Sequence, residues 1–123
     1  MTEKEQFIEQ LKKRTKKLAV DVIDLCSTLK NVKASGVVTY QLVKSSTSVG
    51  ANYRAACRAR SKNEFYSKIC IVVEEADETE YWLEIIDDAG LTNKTEELNR
   101  LLAESNEITK IMSKAKDTAY KNK

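Results

Sequence analysis

Apolar positions recur at steps of three and four along most of the chain, the spacing of one face of an α-helix. This spacing predicts a first helix over about residues 2–30 and further helices over about 37–60, 61–89 and from about 93 onward. The inward seam of the first helix comprises Phe7, Leu11, Thr15, Leu18, Val22, Leu25 and Leu29. The last helix carries its apolar face on Leu98, Leu101, Leu102, Ile108, Met112 and Ala115. No strand pattern competes with this reading of the chain.

Local signals divide the helical pattern into four segments. Residues 31–36 predict the first loop, which ends at Gly36. Ser61-Lys62-Asn63-Glu64 fits a capping box, in which the serine accepts from the amide three residues on and the glutamate reaches back. The alternative is a chance match on one continuous helix. Gly90 is placed to end the third helix in the left-handed conformation.

Four helices of roughly 25 residues with short loops predict an all-α fold, an antiparallel up-down-up-down four-helix bundle. The chain of 123 residues is long enough for one core, so residues 1–123 are expected to form a single domain. After Ala119 the sequence turns polar, which predicts a frayed tail over residues 120–123.

The third helix has two apolar stripes rather than one. The first comprises Phe65, Ile69, Val72, Val73, Ala76 and Leu83. A second, formed by Ile71, Trp82 and Ile85, lies more than a quarter turn away. Either the core face is unusually broad, or the second stripe packs against another subunit. We take Ile71, Trp82 and Ile85 as the candidate oligomer interface.

Small residues fill the middle of the second helix, and Gly50 lies among them. Glycine inside a helix costs about 1 kcal/mol relative to alanine, so we expect a structural reason for it. One explanation is close approach of a neighbouring helix backbone. The other is a local kink around residues 48–50.

Charge is distributed unevenly along the chain, although the net charge is only +2. Residues 1–60 carry 12 Lys/Arg and 5 Asp/Glu, whereas residues 61–98 carry 3 and 11. A candidate phosphate-binding surface on the first two helices comprises Lys12, Lys13, Arg14, Lys16, Lys17, Arg54 and Arg58. The five cations of the first helix project opposite its seam and could equally form a solvated outer face. Arg54 and Arg58 could instead pair with the acidic third helix.

Residues suited to catalysis or metal binding are scarce. The chain has no histidine, the commonest general base and metal ligand, and it has no Gly-rich phosphate loop. We therefore expect no enzyme activity, cofactor, metal or small-molecule substrate. Glu80 could be a buried acid that pairs with Arg54 or bonds to Asn52 or Ser46.

The cysteines and the apolar runs bear on the location of the protein. Cys26, Cys57 and Cys70 are odd in number and form no C-x-x-C motif, which is typical of free thiols in a reducing compartment. No apolar run approaches the roughly 20 residues that span a bilayer, and no signal core is present near the N-terminus. The expectation is a cytoplasmic protein without membrane contact.

Three segments resemble the bacterial four helix bundle family, also called 23S rRNA intervening-sequence proteins. These segments are Ser46–Asn52, Ser61–Phe65 and Glu75–Leu83, in register over about residues 5–115. The residues that carry the family motif are Ser46, Gly50, Asn52, Glu75, Glu78, Tyr81 and Trp82. Many relatives have a glutamate three residues after the asparagine, where this chain has Ala55. A polar network that uses that glutamate is therefore not expected here.

The resemblance implies a left-handed antiparallel bundle and ring-shaped homo-oligomers, commonly of five subunits. The resemblance does not imply an enzyme. Two functions follow as hypotheses: a nucleic-acid-binding accessory protein that meets RNA or DNA phosphates through its first two helices, or a homo-oligomeric interaction scaffold with no nucleic-acid role. Both can hold together, because oligomerisation multiplies a weak basic patch into an avid one.

Overall fold

The computed structural model describes all residues from 1 to 123 and contains four helices without any β-strand. They are α1 (Glu3–Cys26), α2 (Lys33–Cys57), α3 (Lys62–Asp88) and α4 (Thr95–Asn122). The predicted all-α four-helix bundle is confirmed. None of the four helices is long and apolar enough to cross a membrane.

Each helix packs against its neighbours in the chain, and α1 also contacts α4, though least extensively of the four pairs. Along α1 and α4, Arg14 meets Glu104 and Asp21 meets Arg100, so the paired positions run in opposite directions. This order is consistent with antiparallel neighbours. The left-handed twist and the complete up-down-up-down order stay predictions.

The predicted seams form the core. On α1, Leu11, Thr15, Leu18, Val22 and Leu25 are buried, and on α4 Leu98, Leu101, Ile108 and Met112 are buried. Phe7 is the exception, because it lies near the start of α1 and remains 50% exposed. Leu29 is half-buried in the loop that follows α1.

The first loop lies earlier than predicted, over residues 27–32, so the predicted boundaries of α1 and α2 are wrong by several residues. The helix ends where the hydroxyls of Ser27 and Thr28 bond to carbonyls three residues before them, at 2.6 and 2.7 Å. The Thr28 hydroxyl also lies 2.7 Å from that of Thr92, which ties this loop to the one before α4. Gly36 is consequently a helical residue of α2.

The α2–α3 turn confirms the predicted helix start and excludes one continuous helix. The Ser61 hydroxyl accepts from the amide of Glu64 at 3.0 Å. The Glu64 carboxylate, however, accepts from the amide of Arg60 at 2.6 Å rather than from that of Ser61. The bond from the glutamate side chain back to the chain is therefore made one residue before the position that a complete capping box uses.

Among the other helix ends, one was predicted correctly and one start signal was not predicted. Gly90 takes a φ of +62° after α3, as expected for a left-handed C-terminal residue. Thr2 and Glu5 form a complete capping box for α1, a T-x-x-E signal that was not among the predicted helix starts. The fourth helix extends to Asn122, into the polar segment 120–123 for which fraying stays a prediction.

Gly50 marks a close approach of two helix backbones, and α2 runs through it without a break. A Cβ at this position would lie 3.2 Å from the Thr15 hydroxyl oxygen and 3.5 Å from the Thr15 backbone carbon. Thr15 turns its hydroxyl onto the carbonyl of Leu11 at 2.8 Å, so no polar group is left unpaired in this contact. The helix that approaches is α1, and the kink is not observed.

Candidate nucleic-acid interface

The cations of α1 divide between two sides of the helix, which corrects the expectation that all five project outward. Arg14 turns toward α4, where its Nη2 lies 2.7 Å from Glu104 Oε1 and its Nε lies 3.0 Å from Glu104 Oε2. Nη2 also lies 3.2 Å from Glu107 Oε1. Arg14 stands one turn before the buried Leu18, which places it at the edge of the core. It is therefore a structural residue.

Lys12 and Lys17 are exposed in part but each has a carboxylate partner. Lys12 Nζ lies 3.2 Å from Glu9, and Lys17 Nζ lies 2.8 Å from Asp21, which also accepts from Arg100 at 2.7 Å. Burial raises the pKa of Asp21, but the bonds from Lys17 and Arg100 outweigh it and lower the pKa below its ordinary value. These acids compensate part of the positive charge of α1.

Lys13 and Lys16 are the exposed cations of this run that form no ion pair within the chain. Arg54 and Arg58 on α2 are exposed as well, and neither forms an ion pair. The alternative in which these two arginines pair with α3 is not observed. They lie on the outer side of α2, whereas α3 meets α2 on the side of Ser45, whose hydroxyl contacts Thr79.

Contacts between α1 and α2 bring the unpaired cations onto one outer face. Thr15 lies opposite Gly50, and Cys26 lies beside Thr39 farther along the two helices. In this register Lys12 is level with Arg54, one turn from Lys16. We call the exposed residues Lys13, Lys16, Lys44, Arg54 and Arg58, which form no ion pair within the chain, the basic face.

Polar residues that lie between α2 and α3, next to the family motif, form a structural network. The Thr79 hydroxyl donates to the Glu75 carbonyl at 2.8 Å and lies 3.0 Å from the Ser45 hydroxyl oxygen. Burial, followed by the charge of Glu78, raises the pKa of the Glu75 carboxyl, which the positive charge of Lys44 opposes. These residues are accounted for by helix packing.

The remaining polar motif residues bond locally or to α4, which corrects the expected partners of Glu80. Asn52 donates to the carbonyl of Ser48 at 2.9 Å, and Ser46 donates to its own helix. Glu80 accepts from Asn106 on α4 at 2.9 Å, so it meets neither Arg54, Asn52 nor Ser46. The acid faces α4 because it lies on the side of α3 away from α2.

The second apolar stripe of α3 is largely covered by the chain's own core. Trp82 and Ile85 are half-buried against the core, and Ile71 is 37% exposed. The Trp82 indole N–H is shielded from solvent and has no acceptor in the chain. Tyr81, which is 54% exposed, packs edge-on against Trp82 with ring centroids 5.1 Å apart. Ile71 and Tyr81 are thus the apolar groups that this surface presents.

No group of three or more Cys, Asp or Glu side chains is arranged to hold a metal ion. The groove between α1 and α4 contains paired charges, chiefly Arg14, Asp21, Arg100 and Glu104. The fold and its surfaces define a small helical bundle whose most distinct feature is an uncompensated basic face.

The chain belongs to the 23S rRNA-intervening sequence protein family, whose model matches residues 9–114. It is also similar to a crystal structure of a protein with unknown function from the S23 ribosomal protein family of Bacteroides thetaiotaomicron. The two chains are 34% identical with a TM-score of 0.74, over 86% of this chain and 97% of the other. A search of curated proteins gave no match.

Proposed function

We propose that this protein is a non-enzymatic, oligomeric helical bundle that binds nucleic-acid phosphates through its basic face. The observation that supports the proposal is the exposure of Lys13, Lys16, Arg54 and Arg58 without any ion pair in the chain. Cations without a carboxylate partner are free to neutralise phosphates of a nucleic acid, which carries a layer of condensed counterions. The release of counterions from the nucleic acid then favours binding.

The acidic side of the molecule orients this interaction. On α3, Glu74, Asp77, Glu78 and Glu84 are exposed and repel phosphates. A nucleic acid that approaches the bundle is therefore directed to α1 and α2. Assembly of several copies would present several basic faces to one strand and raise the overall affinity without new contacts.

A salt titration of the wild-type protein tests the proposal. Fluorescence anisotropy with a labelled mixed-sequence RNA should show binding at roughly 50 mM salt and a steep loss of affinity as salt is added. About four phosphate contacts give a slope of roughly −3 in log K against log salt for a single strand. No binding at roughly 50 mM salt, or binding that is independent of salt, would contradict the proposal.

A second candidate function is a homo-oligomeric interaction scaffold without nucleic acid. The observation that favours it is the exposure of Ile71 and Tyr81 on a helix whose other outward groups are mostly acidic. Such a surface is complementary to the basic face of another copy. A contact between two different patches is heterologous and closes into a ring when the rotation allows, with five subunits as the number that the family resemblance suggests.

Light scattering tests the scaffold. An oligomer should give several times the 13.9 kDa of one chain. Ile71→Glu should reduce that mass, because it places a charge in the proposed contact. A clean monomer at tens of micromolar would rule out the scaffold. If RNA lowers the mass of the wild-type assembly, the two candidate partners compete for the basic face.

A further inference from the structure

An exposed aromatic side chain stands in line with the cations of α2. Tyr40 is 66% exposed although it lies well inside the helix, away from both ends. The sequence pattern alone does not predict an exposed aromatic ring beside the cations. Tyrosine was overlooked because it also serves well in a core, and only the fold shows which way it points.

Tyr40 begins a continuous outer stripe of α2. Exposed residues follow it at steps of four, three, four, three and four positions, which keeps them on one side of the helix. These residues are Lys44, Thr47, Ala51, Arg54 and Arg58. At 1.5 Å per residue the stripe runs for roughly 27 Å, with an aromatic ring at one end and two guanidinium groups at the other.

Helix α1, which lies beside this stripe, also has apolar residues near its Tyr40 end. The contacts of Thr15 with Gly50 and of Cys26 with Thr39 place Val20 and Ile23 level with the Tyr40 end of the stripe. Val20 is 50% exposed and Ile23 is 48% exposed. The outer face of α1 and α2 therefore has an apolar, aromatic half and a basic half, side by side.

We propose that this face binds single-stranded nucleic acid, with a base stacked on Tyr40 and the following phosphates on Lys44 and the arginines. The inference rests on the proposed function and specifies its ligand. Bases of a single strand are free to stack on an aromatic ring, whereas those of a duplex are stacked on one another. Contacts with phosphates alone would not distinguish a single strand from a duplex. Stacking on Tyr40 therefore provides the preference for the single strand.

The molecule contains a matched control for this role. Tyr81 on α3 is exposed to a similar extent, 54% against 66%, but Asp77, Glu78 and Glu84 lie within one turn of it. Those carboxylates repel the phosphates that would have to follow a stacked base. An exposed tyrosine ring is thus present on both faces, and cations accompany only Tyr40.

The test compares one RNA of about 12 nucleotides, within the usual range of site sizes, as a single strand and as a duplex with its complement. The wild-type protein should bind the single strand more tightly. Tyr40→Leu should weaken single-strand binding about fivefold or more, the equivalent of losing one stacked base, and leave duplex binding unchanged. Tyr40→Trp should retain single-strand binding, and Tyr81→Leu should change neither affinity.

Four results would overturn the inference. If the duplex binds as tightly as the single strand, or if Tyr40→Leu binds the single strand like wild type, the stacking role is wrong while the phosphate-binding function stands. If the wild type binds neither RNA, the proposed function and the inference fail together. If Tyr40→Leu lowers the mass of the assembly in light scattering, a second copy of the chain covers Tyr40 instead.

Discussion

The two edges of α1 are built in different ways. Toward α2, the helix approaches so closely that a Cβ at Gly50 would lie 3.2 Å from the Thr15 hydroxyl oxygen, which is tighter than an ordinary van der Waals contact. Toward α4, the contact is less extensive and is bridged by ion pairs, with Arg14 on Glu104 and Asp21 on Arg100. One edge depends on shape and the other on charge.

This difference explains why a run of cations is not a single surface. Arg14 and Lys17 stand on the α4 side and have acidic partners. Lys13 and Lys16 are exposed and have none. Neighbours in sequence are separated by about 100° around the helix, so one run supplies both structural and free charges.

Filling the α1–α2 contact should have the largest effect. Gly50→Leu places a branched side chain where a Cβ already meets the Thr15 backbone, and we expect the free energy of unfolding to fall by about 3 kcal/mol. Urea denaturation measures it. Gly36→Leu is the control, because nothing lies within 4 Å of a Cβ there, and its stability should be unchanged or slightly raised. Equal stability of both variants would show that the close approach is not required.

Breaking the charged α1–α4 edge should have a smaller effect. Glu104→Gln removes one partner of the two-bond contact with Arg14, and we expect a loss of about 1 kcal/mol in the free energy of unfolding. Glu9→Gln disrupts the more exposed pair with Lys12 and should cost less than about 0.5 kcal/mol. A loss with Glu104→Gln as large as that with Gly50→Leu would mean that charge, too, is essential to the packing of α1.

Acid should weaken the same edge selectively. Hydrogen bonds from Arg14 lower the pKa of Glu104 below its ordinary value, and burial opposes the shift. As the pH falls, Glu104 is therefore protonated in the unfolded chain before it is protonated in the folded chain. The stabilisation is complete above the unfolded pKa of about 4.3 and is lost as the pH falls through the lower folded pKa. Between about pH 5 and pH 3, wild type should lose more stability than Glu104→Gln. An equal loss would contradict this assignment.

The smallest effect on stability is expected on the basic face. The double variant Arg54→Gln, Arg58→Gln removes two exposed guanidinium groups that form no ion pair, so its melting temperature should stay close to wild type. Differential scanning calorimetry at low protein concentration measures this. If the melting temperature of the variant falls markedly, but only at high protein concentration, these arginines pair with another subunit.

Much of the fold could be predicted because helix periodicity identifies the side of each helix that must be buried. The buried positions of α1 and α4 follow the apolar spacing, and Ser61 and Gly90 mark the ends of α3. The first loop could not be located, because no proline or glycine interrupts the chain there. Hydroxyl bonds from Ser27 and Thr28 end the helix instead.

The candidate site was predicted only in part. Periodicity places Lys13 and Lys16 on the outer side of α1, but it does not say that Arg14 reaches Glu104, ninety positions away. Likewise, an apolar stripe does not show how far Trp82 and Ile85 are covered by their own chain. Such pairings depend on which helices become neighbours, and that information is absent from the pattern of any one helix.

We attribute nucleic-acid binding to the unpaired cations of α1 and α2. The most direct test of this assignment compares two variants that each lose four positive charges. One replaces Lys13, Lys16, Arg54 and Arg58 by glutamine. The other replaces four exposed lysines elsewhere by glutamine: Lys94, Lys110, Lys114 and Lys121.

Both variants are titrated with the same single-stranded RNA over a range of salt concentrations. The first should lose most of its affinity, and its slope of log K against log salt should shrink by roughly 3, because about four phosphate contacts are gone. The second should remain within about threefold of wild type, since it loses only long-range attraction. Equal losses in the two variants would show that binding follows net charge, and the basic face would then have no special role.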